Sequence, residues 1–265
     1  MKFGRESGIL LHPTSLPSKF GIGELGSEAY GFADFLARSR QKLWQILPLG
    51  PIGYGESPYQ CFSAFAGNTM LISIERLIED KLLLQEDIGP LPDFDEGLVE
   101  FEKVRAFKSN LFRKAFKRFE AAGAGEDYDR FLRENDYWLN EFSFFMALKE
   151  YFGGAAWNLW DKEIAFRDSK AMIYYRDKLS REIEYQNFLQ YVFFSQWMLL
   201  KEYVNKQGIR IIGDLPLFIS YDSSDAWSQS YLFELDEEGN PLKTAGVPPD
   251  YFSETGQFWG NPHYK

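Results

Sequence analysis

Gly8-Ile9-Leu10-Leu11-His12 and Leu43-Trp44-Gln45-Ile46-Leu47-Pro48 are short apolar runs closed by a polar residue or a proline, and the reading of this stretch decides the fold. Runs of this length, rich in Ile and Leu, read as buried strands. Between them, Ser27 to Arg40 places Phe32, Phe35 and Leu36 at helical spacing, with Ser27 as the expected N-cap. Strand, helix, strand is a βαβ unit. It demands parallel strands with helices packed outside them. A third run, Ile209-Arg210-Ile211-Ile212-Gly213-Asp214, has the same character. The fold class is α/β.

Between the second and third strands the texture changes. Phe101, Val104, Phe107, Leu111, Phe112, Ala115, Phe116 and Phe119 mark one amphipathic helix. Residues from Phe131 to Leu148 mark a second, and residues from Ile183 to Val204 a third, which Gly208 can end. The chain therefore divides into first barrel-type βα units (1–94), a helical insertion (95–207), and a third strand followed by a hairpin and a loop (208–265). The hairpin is expected where Tyr231–Leu235 and Pro241–Lys243 flank Glu238-Gly239-Asn240. The loop, residues 246–262, threads aromatics between prolines and glycines, a composition of rigid functional loops rather than linkers.

Composition narrows the function. The net charge is −10 and the pI about 4.9, which disfavours nucleic acid and anionic membranes as partners. No apolar run approaches the ~18 residues of a membrane span, the N-terminus lacks an apolar signal core, and the single Cys61 forbids an internal disulfide. A cytoplasmic location is the expectation. Aromatics make up 18% of the chain. Their flat faces suit a packed core and a sugar ring equally.

Several motifs are read as structural. Gly21-Ile22-Gly23-Glu24-Leu25-Gly26 has dinucleotide-type spacing, but no strand ends at its first glycine, no carboxylate ends the next strand, and Glu24 would face a pyrophosphate. With only His12 and His263, and no paired cysteines, neither a metal site nor a cofactor is expected. His12 is read as a buried histidine bonded to backbone, and Cys61 as packing.

The chemistry-bearing segments lie at strand ends, where parallel barrels place their sites. They are Pro48–Gln60, Gly213-Asp214-Leu215-Pro216, and the aromatic loop. Together they offer rings for stacking, and Gln60, Asp214, Asp250 and Gln257 for hydroxyls.

These same segments resemble, in order, the sequence blocks of the 4-α-glucanotransferases, the amylomaltase or disproportionating-enzyme family. The blocks are Gly8–Pro17 with Gly21-Ile22-Gly23, Gly53–Gln60, Ser63–Asn68, Gly213–Pro216, and Gly246–Phe252 through Gly256–Pro262. The resemblance covers nearly the whole chain. It implies a partial (β/α)8 TIM-type barrel with a large helical insertion, acting on α-1,4-glucans and maltooligosaccharides in starch and maltose metabolism.

The implied reaction is retaining transfer. A carboxylate attacks the anomeric carbon, and a second carboxyl group protonates the leaving oxygen and later deprotonates the acceptor. By the resemblance Tyr59 lines the sugar cleft, Asp214 reaches the glucan near the scissile bond, and Asp250, Tyr251 and Phe252 belong to a loop closing over substrate. Gln257 and Trp259 hold that loop or the glucan, and Tyr54 contacts glucan away from the cleavage point. The nucleophile and acid/base are expected downstream of Lys265, so the 265 residues alone are expected to be inactive and to need a C-terminal half of the barrel. The rival readings are an α-glucan hydrolase on the same scaffold and a non-catalytic glucan-binding fragment.

Overall fold

The computed structural model describes residues 4–265, with the side chain of Tyr54 outside the described residues. The fold is α/β. It divides into two compact units: one built from the segment ending at Leu49, Gly67–Arg133 and Phe188–Asp214, the other from Gly50–Ala66, Glu134–Asn187 and Leu215–Lys265.

In the first unit, β1 (Gly8–Leu10), β2 (Leu43–Gln45) and β3 (Arg210–Ile212) form a parallel sheet in that order. Ile9, Trp44 and Ile211 stand in register, as do Leu10, Gln45 and Ile212. Side chains alternate across a sheet, so these two rows occupy opposite faces. The Trp44 row is covered. Its ring meets Phe32 of α1 (Ser27–Arg38) edge-on at 5.0 Å, and its indole N–H donates to the Leu11 carbonyl at 2.8 Å. The other row is open, with Leu10 57% and Ile212 41% exposed. Parallel sheets are ordinarily covered on both faces.

The first helix differs from expectation at both ends. Gly26 is the N-cap, and Ser27 lies inside the helix, its hydroxyl donating to Glu75 at 2.9 Å. The helix stops at Arg38, because Arg40 takes a left-handed conformation, φ 57°.

The first unit also holds α2 (Ile74–Glu79), α3 (Phe101–Ala122) and the last part of α7 (Ser180–Lys206). Two buried glutamines of α7 fasten it to the chain. Gln190 exchanges hydrogen bonds with Gly67 (2.8 and 3.0 Å), and Gln196 with Ser73 (2.7 and 3.3 Å). Each carboxamide satisfies one backbone N–H and one carbonyl that would otherwise be buried unpaired. Past α7, Gly208 (φ 74°) supplies the left-handed residue that turns the chain into β3.

Glu24 does not face solvent or a ligand. It is buried against Lys108 of α3, 2.6 Å away, whose ammonium also donates to the carbonyls of Met70 (2.6 Å) and Ile72 (2.8 Å). Burial pushes the Glu24 carboxyl up and the Lys108 ammonium down, against their mutual attraction. His12 is buried as expected, but its Nδ1 meets no hydrogen-bond partner among the described residues. Desolvation lowers its pKa to about 4.

The second unit has an aromatic core. Phe144, Phe145 and Leu148 of α4 (Glu126–Tyr151) pack with Trp157, Trp160 and Trp227. Two short helices, α5 (Lys162–Ala165) and α6 (Ser169–Lys178), escape the periodicity argument because few of their residues are buried. The Asp168 cap of α6, accepting from the amides of Lys170 (2.9 Å) and Ala171 (3.2 Å), was their sequence signal.

Beyond α8 (Ser224–Ser228) the expected hairpin reduces to a single bridge, Leu235 to Asn-flanked Pro241. Asp236 gathers the amides of Glu238 (3.0 Å) and Asn240 (2.7 Å), closing a turn in place of extended strands. The ladder lies instead within the aromatic segment, where β4 (Thr244–Val247) pairs antiparallel with β5 (Gln257–Pro262).

Candidate glucan-binding site

Six of the eight residues singled out in the sequence fall, with described side chains, in the second unit: Tyr59, Asp250, Tyr251, Phe252, Gln257 and Trp259. Asp214 belongs to the first unit, exposed two residues beyond the end of β3. Tyr54 opens a one-turn 3-10 helix, Tyr54–Glu56, but its side chain lies outside the described residues.

Tyr59 sits on a tight turn. The Gln60 amide donates to the Ser57 carbonyl at 3.1 Å, and the Tyr59 amide to the Ser57 hydroxyl at 3.3 Å. The Gln60 carbonyl accepts from Gly53 at 2.8 Å. On this frame the Tyr59 ring is 43% exposed.

Gln60 ties the turn to β5. Its carboxamide N–H donates to the Trp259 carbonyl and to Asn261 Oδ1, both at 3.0 Å. Asn261 is buried and passes the connection on, donating to the Ile219 carbonyl at 3.0 Å. The turn bearing Tyr59 and the strand bearing Trp259 are thereby one construction. Gln257, two residues before Trp259 on β5, accepts from the Trp259 indole N–H at 3.0 Å. Phe218 lies 6.5 Å from the Trp259 ring and stacks on Tyr264 at 6.1 Å and 8°.

Asp250, Tyr251 and Phe252 occupy the tip between β4 and β5. Asp250 Oδ1 accepts from the amides of Phe252 (2.9 Å) and Ser253 (2.8 Å), and its own amide donates to the Ser253 carbonyl at 2.9 Å. The carboxylate thus forms the turn as well as presenting charge. Gly256 closes it at φ 74°, where a Cβ would stand 2.4 Å from the Val247 carbonyl oxygen. On this rigid tip Tyr251 is 97% and Phe252 89% exposed, their rings edge-to-face at 5.5 Å. Both large rings are held in solvent and take no part in the core of the unit.

Sequence reasoning missed Asn261 as a connector and Phe218 and Tyr264 as the ring stack beside Trp259. Asn261 was visible inside the Gly-Asn-Pro block, but its burial depends on a partner 42 residues away. Chemically, the group offers exposed rings, amides and a carboxylate and holds no metal-type cluster among the described residues.

The family model described as 4-alpha-glucanotransferase matches residues 11–265. The 4-alpha-glucanotransferase of Synechocystis sp. is 47% identical over 264 residues, covering 98% of this chain and 52% of that protein. The protein of the same name from Thermus thermophilus is 46% identical over 268 residues, covering 100% and 53%. The solved amylomaltase from Streptococcus agalactiae in complex with acarbose superposes with a TM-score of 0.94 at 44% identity, covering 99% of this chain and 53% of that one. The chain spans about half the length of the curated relatives it matches. With the model matched from residue 11 to residue 265, this chain belongs to the 4-alpha-glucanotransferase family.

Proposed function

We propose that the protein transfers segments of α-1,4-glucan between maltooligosaccharides by a retaining double displacement, and that these 265 residues supply part of the grip on the glucan. The observation that carries this reading is the Tyr59–Gln60–Trp259 construction. It holds exposed rings and hydrogen-bonding groups in one frame, within the stretch 11–265 that matches the 4-alpha-glucanotransferase family.

In this reading the parallel sheet is the start of a (β/α)8 barrel. Residues 1–94 carry the first βα units, 95–207 the helical insertion, and 208–265 the third strand and the covering segment. The open Leu10–Gln45–Ile212 row supports it, since a barrel interior is filled by side chains from all its strands. Tyr59, Trp259 and Gln257 bind sugar rings and hydroxyls. Asp214 reaches the glucan from the strand end. Asp250 shapes the tip that brings Tyr251 and Phe252 over the substrate, excluding water so that a sugar hydroxyl rather than water completes the second displacement. Tyr54 adds a contact farther along the glucan. The nucleophile and the acid/base belong to sequence outside these residues, and the protein works in the cytoplasm without a cofactor.

The test is a calorimetric titration with maltoheptaose of the protein as its source makes it. Saturable binding that weakens about tenfold in Tyr59→Ala is the expected result. Absence of binding would refute the glucan reading.

A further inference from the structure

We propose that the second unit carries another saccharide site, a pocket lined by Phe65, Tyr137, Trp138, Asp225, Gln229 and Tyr231 that takes a glucosyl ring of an α-1,4-glucan. The proposal rests on the α-glucan reading above and shares no residue with the Tyr59–Trp259 group.

The cavity measures about 280 Å³, just under the ~300 Å³ at which pockets begin to hold drug-sized ligands, and suited to a single sugar ring. One wall is aromatic and braced. Phe65 lies nearly parallel to the buried Trp138 ring at 6.4 Å and 20°, and meets Tyr137 edge-on at 5.6 Å. Phe65, Tyr137 and Tyr231 are nevertheless 47%, 70% and 67% exposed. Their rings contribute little to the core, yet Phe65 is fixed by its neighbours. A pre-organised apolar face in solvent is what a pyranose ring stacks on, because ordering the site is not charged to binding.

The polar side is also fixed. Asp225 Oδ2 accepts the Ala64 amide at 3.0 Å, which orients the carboxylate, and burial pushes its pKa up. Hydrogen bonds from the side chains of Ser63 and Ser224 hold the same carboxyl group, which makes it a fixed polar wall for a sugar hydroxyl. Glu141, on the same wall, is held by Arg167 at 2.7 Å and by Arg176 at 2.8 Å. Arg167 lies over the Trp227 ring at 4.3 Å and takes a left-handed backbone, φ 59°, a conformation that persists only where the surroundings enforce it. Of the charged groups lining the pocket, Asp225 and Glu141 are acidic and Arg167 is basic, so there is no excess cation for a phosphate. Glu141 is neutralised by Arg167 and, from outside the lining, by Arg176, and Asp225 is tied to the Ala64 amide, which leaves aromatic faces and hydrogen-bonding groups suited to a neutral, hydroxyl-rich ligand. Gln229 adds a carboxamide that can donate and accept.

The test is electrophoresis of the protein, as its source makes it, through gels with and without amylose. Three variants accompany it: the double variant Tyr137→Ala/Tyr231→Ala, Gln229→Ala in the same pocket, and Tyr59→Ala. Both tyrosines are exposed, so an unchanged melting midpoint is expected, and Gln229→Ala gives an independent reading should the double variant unfold. An affinity for amylose reduced about tenfold in the double variant, and reduced in Gln229→Ala, is the expected result. Wild-type retardation in both pocket variants, with loss only in Tyr59→Ala, would overturn this site and leave the α-glucan reading intact. A wild-type protein not retarded at all would overturn both.

Discussion

Gln60 and Asn261 are joined by a 3.0 Å hydrogen bond that makes the Tyr59 turn and the Trp259 strand a single element of the second unit. Asn261 is the buried partner, donating onward to the Ile219 carbonyl. Asn261→Ala leaves a buried carbonyl and the Gln60 amide short of partners, a cost of about 1–3 kcal/mol. Urea unfolding measures it. Asn261→Asp keeps an acceptor for Gln60 but buries a carboxylate oxygen against the Ile219 carbonyl, so at neutral pH it should cost at least as much as Asn261→Ala.

Glu24 and Lys108 form a buried ion pair in the first unit, with Glu24 Oε2 also accepting from the Ile74 amide at 3.1 Å. Removing one partner strands a buried charge and two carbonyls. Lys108→Met is expected to cost about 3–5 kcal/mol. Adding Glu24→Gln should recover part of that loss, because the uncompensated carboxylate is gone. Denaturant midpoints of the single and double variants check this, and a double variant weaker than Lys108→Met would show that the pair is not the source of the effect.

His12 makes stability depend on pH. Its imidazole takes a proton near 6.5 in an unfolded chain but only near 4 in the fold. Between these values the unfolded state binds a proton that the native state does not. Its contribution to stability is therefore whole above pH 6.5, shrinks as pH falls, and levels off below about 4. The full swing is on the order of 3 kcal/mol. His12→Asn should remove that swing, so that the difference in unfolding free energy between variant and wild type varies across pH 4–6.5 and is constant above it.

These 265 residues by themselves should release no glucose from maltotriose, because the proposal places the nucleophile and acid/base outside them. Chromatography of the reaction checks this. Release of glucose by this chain alone would move the chemistry onto Asp214, Asp250 or another carboxylate within it.

The legible parts of the fold were those governed by local pattern. Ile9, Trp44 and Ile211 alternate with their neighbours in short apolar runs, and the three parallel strands follow. The long helices showed in the spacing of Val104, Leu111 and Ala115. What depended on a distant partner was not legible. Lys108 looks like a surface lysine in sequence and is buried because Glu24 and two carbonyls receive it. The β4–β5 ladder was hidden because Pro248, Pro249 and Gly256 read as loop, although they form only its tip. In the site, Tyr59 and Trp259 could be named from their blocks. Gln60 was a candidate for binding hydroxyls, and its role as the tie between the two emerged only from the geometry.

The most direct test of the proposed function is incubation of maltotriose with the protein as its source makes it, followed by chromatography of the products. Glucose together with maltooligosaccharides longer than maltotriose is the expected result. Unchanged maltotriose, or glucose and maltose with no longer chain, would contradict transfer as the reaction.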